Sequence, residues 1–163
     1  MKLPWTPSWR HAKSPYLTEG RLADVLAAIQ VMGSAKRPEA TIADLTNELD
    51  RSKDPKMVEK WTALFSNHPE FFLVYSLPGD TERKAALRLR YAYKRFDAET
   101  GIDYSEPQFA ALDPKKPDEK AIRDRLTTKP LAPDQIQLLI NTAVGLRTTA
   151  LEEHKASVWW VPL

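Results

Sequence analysis

The hydrophobic period of residues 20–95 changes once, at His68-Pro69. Before that point apolar residues recur every three or four positions in three short segments. Beyond it they crowd into one β-rich run and then alternate with basic residues. A chain patterned this way predicts three helices followed by two strands, and few small folds accept that order.

The first helix is expected from Thr18, an N-cap with Glu19 in the first turn. Leu22, Val25, Leu26, Ile29 and Met32 form its apolar face, and Gly33-Ser34 its stop. The second begins at Thr41, with Asp44 three residues on as in a capping box and Ile42, Leu45 and Leu49 as its buried stripe. After the polar turn Asp50-Arg51-Ser52-Lys53, Asp54-Pro55 opens the third, because proline at the first helical position gives up a donor that has no partner anyway. Val58, Trp61 and Phe65 share one face of this helix, with Lys56, Lys60, Ala63 and Asn67 opposite. Phe71 to Leu77 reads as a buried strand, and Pro78-Gly79-Asp80 begins a turn completed by Thr81 to Lys84. The return strand, Ala85 to Arg95, puts Leu87, Leu89, Tyr91 and Tyr93 on one face and Arg88, Arg90, Ala92 and Lys94 on the other.

In the order and size of its elements this stretch resembles a winged helix-turn-helix domain. The resemblance covers less than half of the 163 residues and carries no sequence signature. It implies a mainly α fold with a small β-hairpin, the third helix entering the DNA major groove and the hairpin, or wing, touching the adjacent backbone. Carried over by position, the contacts to double-stranded DNA are Lys56, Lys60 and Asn67 on the helix and Arg83 and Lys84 at the wing tip. Arg88 and Arg90 lie further down the wing. Lysine suits phosphate or guanine and asparagine adenine, whereas Glu59 beside them repels phosphate. Many members of this superfamily dock proteins instead, so the resemblance supports both roles.

Charge is distributed unevenly. Residues 81–95 hold six Lys/Arg against Glu82 alone, while residues 96–163 hold eight Lys/Arg against eleven Asp/Glu. A basic hairpin on an acidic remainder orients an anionic partner, or it is a solvated strand face whose cations guard a sheet edge. The formal net charge of +2 does not by itself argue for nucleic acid.

Outside the core stretch, residues 1–17 carry Pro4, Pro7 and Pro15 with Trp5, Trp9 and Tyr16. They read as an extended arm whose tryptophans are anchors. Residues 96–132 carry scattered apolar side chains among prolines and predict an irregular strap, with a short helix from Pro117 to Leu126. In residues 133–163, Ile136, Leu139, Ile140, Ala143, Leu146 and Ala150 form the stripe of a long helix from Pro133 to Lys155. At about 34 Å it is roughly as long as a winged-helix core is wide, so that part of it is expected to project beyond the core, which points to a homodimer, against simple packing across the back of the domain. The ending Val158-Trp159-Trp160-Val161-Pro162-Leu163 is either a natural end folded on the core or a chain cut before a membrane segment. The second would place the domain at the cytoplasmic face of a membrane.

Cysteine is absent, which removes disulfides, thiolate metal sites and thiol nucleophiles and is compatible with a reducing, cytoplasmic setting. No run approaches the roughly 20 apolar residues of a transmembrane helix. His11, His68 and His154 have no zinc-site spacing, and neither a glycine-rich phosphate loop nor a nucleophile elbow is present. The expectation is a non-enzyme without cofactor or metal: a DNA-binding regulator of transcription or, in the alternative, a protein-interaction module.

Overall fold

A computed structural model describes residues 13–76, 81–92 and 95–158. The expectations for Trp5 and Trp9, for the turn at Pro78-Gly79-Asp80, for Tyr93 and Lys94, and for Trp159-Trp160 lie outside these residues. The described chain is mainly α, with two small antiparallel sheets and a long C-terminal helix.

Helix α1 (Arg21–Ser34) is followed by strand β1 (Glu39–Thr41), α2 (Ile42–Asp50), α3 (Pro55–Asn67), β2 (Phe72–Tyr75) and β3 (Lys84–Leu87). The strands pair antiparallel in the order β1-β3-β2, with Glu39 opposite Ala86 and Phe72 opposite Leu87. Three helices against such a sheet are compatible with a winged-helix-like arrangement.

Two helix starts follow the sequence expectation closely. The Asp44 amide donates to Thr41 Oγ1 at 3.1 Å, and the Lys56 amide to Asp54 Oδ1 at 2.9 Å, with Pro55 at the first helical position. The first helix differs. Pro15–Leu17 form one 3-10 turn that ends at Thr18, and α1 is capped by Gly20 at a φ of 73°, a conformation open to glycine. Nor does Gly33 stop α1, which runs through Ser34. A side chain at Gly33 would lie 3.1 Å from Ile136 of the C-terminal helix α7 (Pro133–Val158), so glycine there permits a close helix crossing.

The core gathers Val25 and Ile29 of α1, Leu45 of α2, Trp61, Leu64 and Phe65 of α3, and Phe72 and Leu87 of the sheet. Phe65 meets Phe72 edge-on at 5.0 Å between ring centroids, and Trp61 Nε1 donates to Asp50 Oδ2 at 2.6 Å, tying α3 to α2.

The return strand is shorter than its alternation predicts. It ends at Leu87, and the chain turns into a single helical turn, α4 (Arg88–Tyr91), before β4 (Arg95–Asp97). Residues 96–132 are likewise no irregular strap. Strands β4, β5 (Asp103–Tyr104) and β6 (Leu126–Thr128) pair in the order β5-β4-β6, with α5 (Glu106–Ala111) and α6 (Pro117–Arg125) between the last two in sequence. Helix α7 packs on α1 and on the Pro15–Leu17 turn, with Ile136, Leu139, Ile140, Ala143 and Ala150 joining the core; Leu146, expected in the same stripe, is exposed, as are residues 151–157.

Candidate nucleic-acid interface

Helix α3 divides as its sequence pattern predicts. Trp61, Leu64 and Phe65 are buried, and Lys56, Glu59, Lys60, Ala63 and Asn67 are exposed. Lys60, however, is not aimed away from the protein. Its ammonium lies 3.1 Å from Asp24 on α1 and 4.9 Å from the centre of the Trp61 ring, so half of the expected positive charge of this face is matched within the fold. Lys56 and Asn67 make no side-chain hydrogen bond among the described residues and stand at opposite ends of the face.

The wing candidates separate. Arg83 is exposed, and its carbonyl accepts the Ile42 amide at 3.0 Å, which fixes the wing root to the start of α2. Arg83 and Arg88 line one shallow cleft of about 470 Å³ with Ser66 of α3 and Pro69. Arg88 is anchored there because its amide donates to Phe71 O at 2.7 Å and its Nε to Pro69 O at 2.8 Å. Neither of its terminal nitrogens has a hydrogen-bond partner among the described residues. Lys84 is opposite both Thr41 and Tyr75 in the sheet and lines a different and larger cleft. Arg83, just before β3, and Lys84, its first residue, thus line different clefts and do not act on one surface.

Arg90 has to be removed from the candidate surface. Its side chain is fully buried. Nη1 donates to the carbonyls of Met32 (2.9 Å), Ala35 (2.7 Å) and Arg37 (3.0 Å), and Nη2 to Thr128 O at 2.8 Å. A helix leaves its last carbonyls without intrahelical partners, and a guanidinium has enough donors to serve several of them at once. Burial lowers the Arg90 pKa from its ordinary value, yet arginine keeps its charge at any accessible pH. Had the return strand run to Arg95, Arg90 would face solvent; the helical turn at Arg88 rotates it inward. Lys56, Asn67, Arg83 and Arg88 remain as exposed polar groups on the α3 and wing side.

Two further polar clusters were not foreseen in the sequence. Tyr75 and Tyr91 both donate their hydroxyls to Glu39 Oε2, and the two hydroxyls lie 2.8 Å apart. Burial, then the Glu39 carboxylate, drives both phenols above their usual range, Tyr91 to about 12. Near the arm, His68 Nδ1 lies 2.9 Å from Glu70 Oε1, the same oxygen that accepts Tyr16 Oη at 2.5 Å. Burial opposes ionisation of Glu70, but the Tyr16 and His68 hydrogen bonds outweigh it and hold the carboxyl below its ordinary value. His68 is fully buried, with Nδ1 against Glu70 and Nε2 without a hydrogen-bond partner among the described residues. These residues lie too far apart in sequence, or too close to a turn, for any spacing rule to group them.

Among the described residues no group of three His, Asp or Glu side chains is placed to hold a metal ion, and no helix is long and apolar enough to cross a membrane. Comparison with protein-family models, with curated proteins and with solved structures returned no match for this chain.

Proposed function

We propose that the protein is a winged-helix nucleic-acid-binding protein that reads duplex DNA with the exposed face of α3 and steadies it with the wing. The reading is supported above all by one observation: an exposed polar helix face adjoins the root of a hairpin in a β1-β3-β2 sheet. In that reading Lys56 and Asn67 approach the groove while Arg83 and Arg88 meet the phosphates beside it. Lys60 reaches a phosphate only by leaving Asp24.

A homodimer belongs to the same reading. Val144 and Leu151 are 42% and 37% exposed and stand seven residues apart on the outer flank of α7, where a second copy of the helix would cover both. Two copies would present two α3 helices to two half-sites.

The deciding experiment is fluorescence anisotropy of labelled mixed-sequence duplex at low and near-physiological salt, with sedimentation velocity at the same concentrations. Steeply salt-dependent binding that weakens in Arg83→Glu/Arg88→Glu supports the reading, since each lost phosphate contact lowers the salt slope by about one. Unchanged affinity in that variant, or no binding at low salt by folded protein, rejects it. The near neutrality of the α3 face, with Glu59 between two lysines of which one is paired, favours a second reading as a protein-docking module. DNA-silent protein would turn the search to that role.

A further inference from the structure

Strand β2 is an outer strand of its sheet, bonded to β3 on one side and, among the described residues, to no strand on the other. Antiparallel ladders alternate, so every second residue turns its amide and carbonyl away from the neighbouring strand. The Arg88 amide donates to Phe71 O at 2.7 Å, which extends the register by one pair beyond Phe72 and Leu87 and puts Phe71, Leu73 and Tyr75 at the bonded positions. Phe72 and Val74 therefore present their backbone to the open edge. The Phe72 amide is taken by His68 O at 3.0 Å, whereas neither backbone group of Val74 is hydrogen-bonded on that side among the described residues.

Val74 lines the shallow cleft of about 470 Å³ that also holds Ser66, Arg83 and Arg88. The charge of this cleft has one sign. Both arginines are exposed, and no described carboxylate lines it. Of the acidic residues nearest in sequence, Glu70 is held by Tyr16 and His68, and Glu82 is exposed on the wing beside Arg83. Neither pairs with Arg83 or Arg88 among the described residues. The other outer strand, β1, differs: it lines the larger cleft, where Glu39, Asp44, Glu99 and Asp124 stand among the cations and no charge is selected. A free strand edge recognises an extended chain through main-chain hydrogen bonds, and guanidiniums beside it choose carboxylates.

We infer that the cleft beside β2 receives an extended, acidic segment of a partner protein, which adds a strand to the sheet at Val74 and sets its carboxylates against Arg83 and Arg88. The inference goes beyond the DNA reading and does not rest on it, because a duplex can use the two arginines but has no strand to offer Val74. One pair of arginines does not serve both ligands at once, so the acidic segment and a duplex exclude each other.

The test is fluorescence anisotropy of the full chain at low ionic strength with a labelled peptide of alternating valine and glutamate, about eight residues long. Beside it runs the same peptide N-methylated at two adjacent central residues, which keeps the charge but blocks strand pairing on either edge. Expected are saturable binding of the plain peptide and a loss of about tenfold or more on N-methylation, in Arg83→Glu/Arg88→Glu and in Val74→Pro. Val74→Pro removes a donor that the β2–β3 ladder does not use. Thermal melting checks that this variant is folded; should it not fold, the N-methylated peptide tests strand addition on the wild type. No binding of the plain peptide at millimolar concentration overturns the inference, as does equal affinity for the N-methylated peptide or unchanged affinity in folded Val74→Pro. A duplex bound by wild type and lost in Arg83→Glu/Arg88→Glu, with the peptide bound by neither, gives the arginines to nucleic acid and overturns it. A dimer seen by sedimentation velocity that Val74→Pro abolishes gives the edge to a second copy of the chain and overturns the partner assignment.

Discussion

The residue that most repays substitution is Arg90. Its guanidinium closes the C-terminal end of α1, holds the 35–37 loop and reaches across to Thr128 of β6. Removing it leaves several buried carbonyls without donors, each costing about 1–3 kcal/mol. Arg90→Met is therefore expected to lower stability by about 3 kcal/mol or more, read as a fall in the urea midpoint. Arg90→Lys should recover little, because one ammonium cannot span a fan of carbonyls. A loss below about 1 kcal/mol in Arg90→Met would show that water replaces the guanidinium there. Arg51 invites the opposite change. It ends α2 at a φ of 52°, a left-handed conformation that favours glycine, and its side chain is exposed. Arg51→Gly is expected to be neutral or stabilising by up to about 1 kcal/mol, the reverse of what glycine does in most exposed positions.

At the scale of elements, what was legible in the sequence was what neighbouring residues decide. Thr41 and Asp54 cap their helices through amides two or three residues away, and the buried face of α3 follows from spacing alone. What was not legible depended on distant partners. The run Leu87-Arg88-Leu89-Arg90-Tyr91 suits a strand by alternation, yet a helical turn wins because it delivers Arg90 to carbonyls 53 to 58 residues earlier in the chain. Strand β1 is three residues long behind Pro38, too short to produce a pattern, and exists because β3 pairs with it. The candidate site inherited that error: Lys56, Asn67 and Arg83 are exposed as expected, while the alternation assigned Arg90 to a surface from which the fold withdraws it. Gly33 is a second case, read as a helix stop when the reason for it is Ile136, more than one hundred residues later. Gly33→Val would crowd that crossing and is expected to cost about 1–3 kcal/mol. If its urea midpoint matches wild type, α7 does not depend on close packing against α1.

For the whole molecule, stability should form a plateau in pH bounded by two sets of polar clusters. Three carboxyls are held below their ordinary values: Glu70 against burial by Tyr16 and His68, Asp97 by the Glu99 amide and Arg125, and Glu119 by the Asp113 amide and Lys116. A depressed carboxyl binds a proton more readily in the unfolded chain, so its contribution is complete above the unfolded value, about 4, and is lost as pH falls through the folded one. The phenols of Tyr16, Tyr75 and Tyr91 are raised, each by burial first and a neighbouring carboxylate next. Their sign is the reverse: the stabilisation is present below the unfolded value of about 10 and declines as pH rises toward the folded values. The alkaline decline carries more structural information, because Tyr75 of β2 and Tyr91 of α4 share Glu39 of β1 on the wall of the larger cleft. Tyr91→Phe removes one of the titrating phenols, so its urea midpoint should fall less than that of wild type between pH 9 and pH 11 while standing lower at pH 7. Parallel curves for the two proteins would mean that Tyr91 ionises as freely in the folded chain as in the unfolded one, and that the Glu39 cluster does not tie α4 to the first sheet.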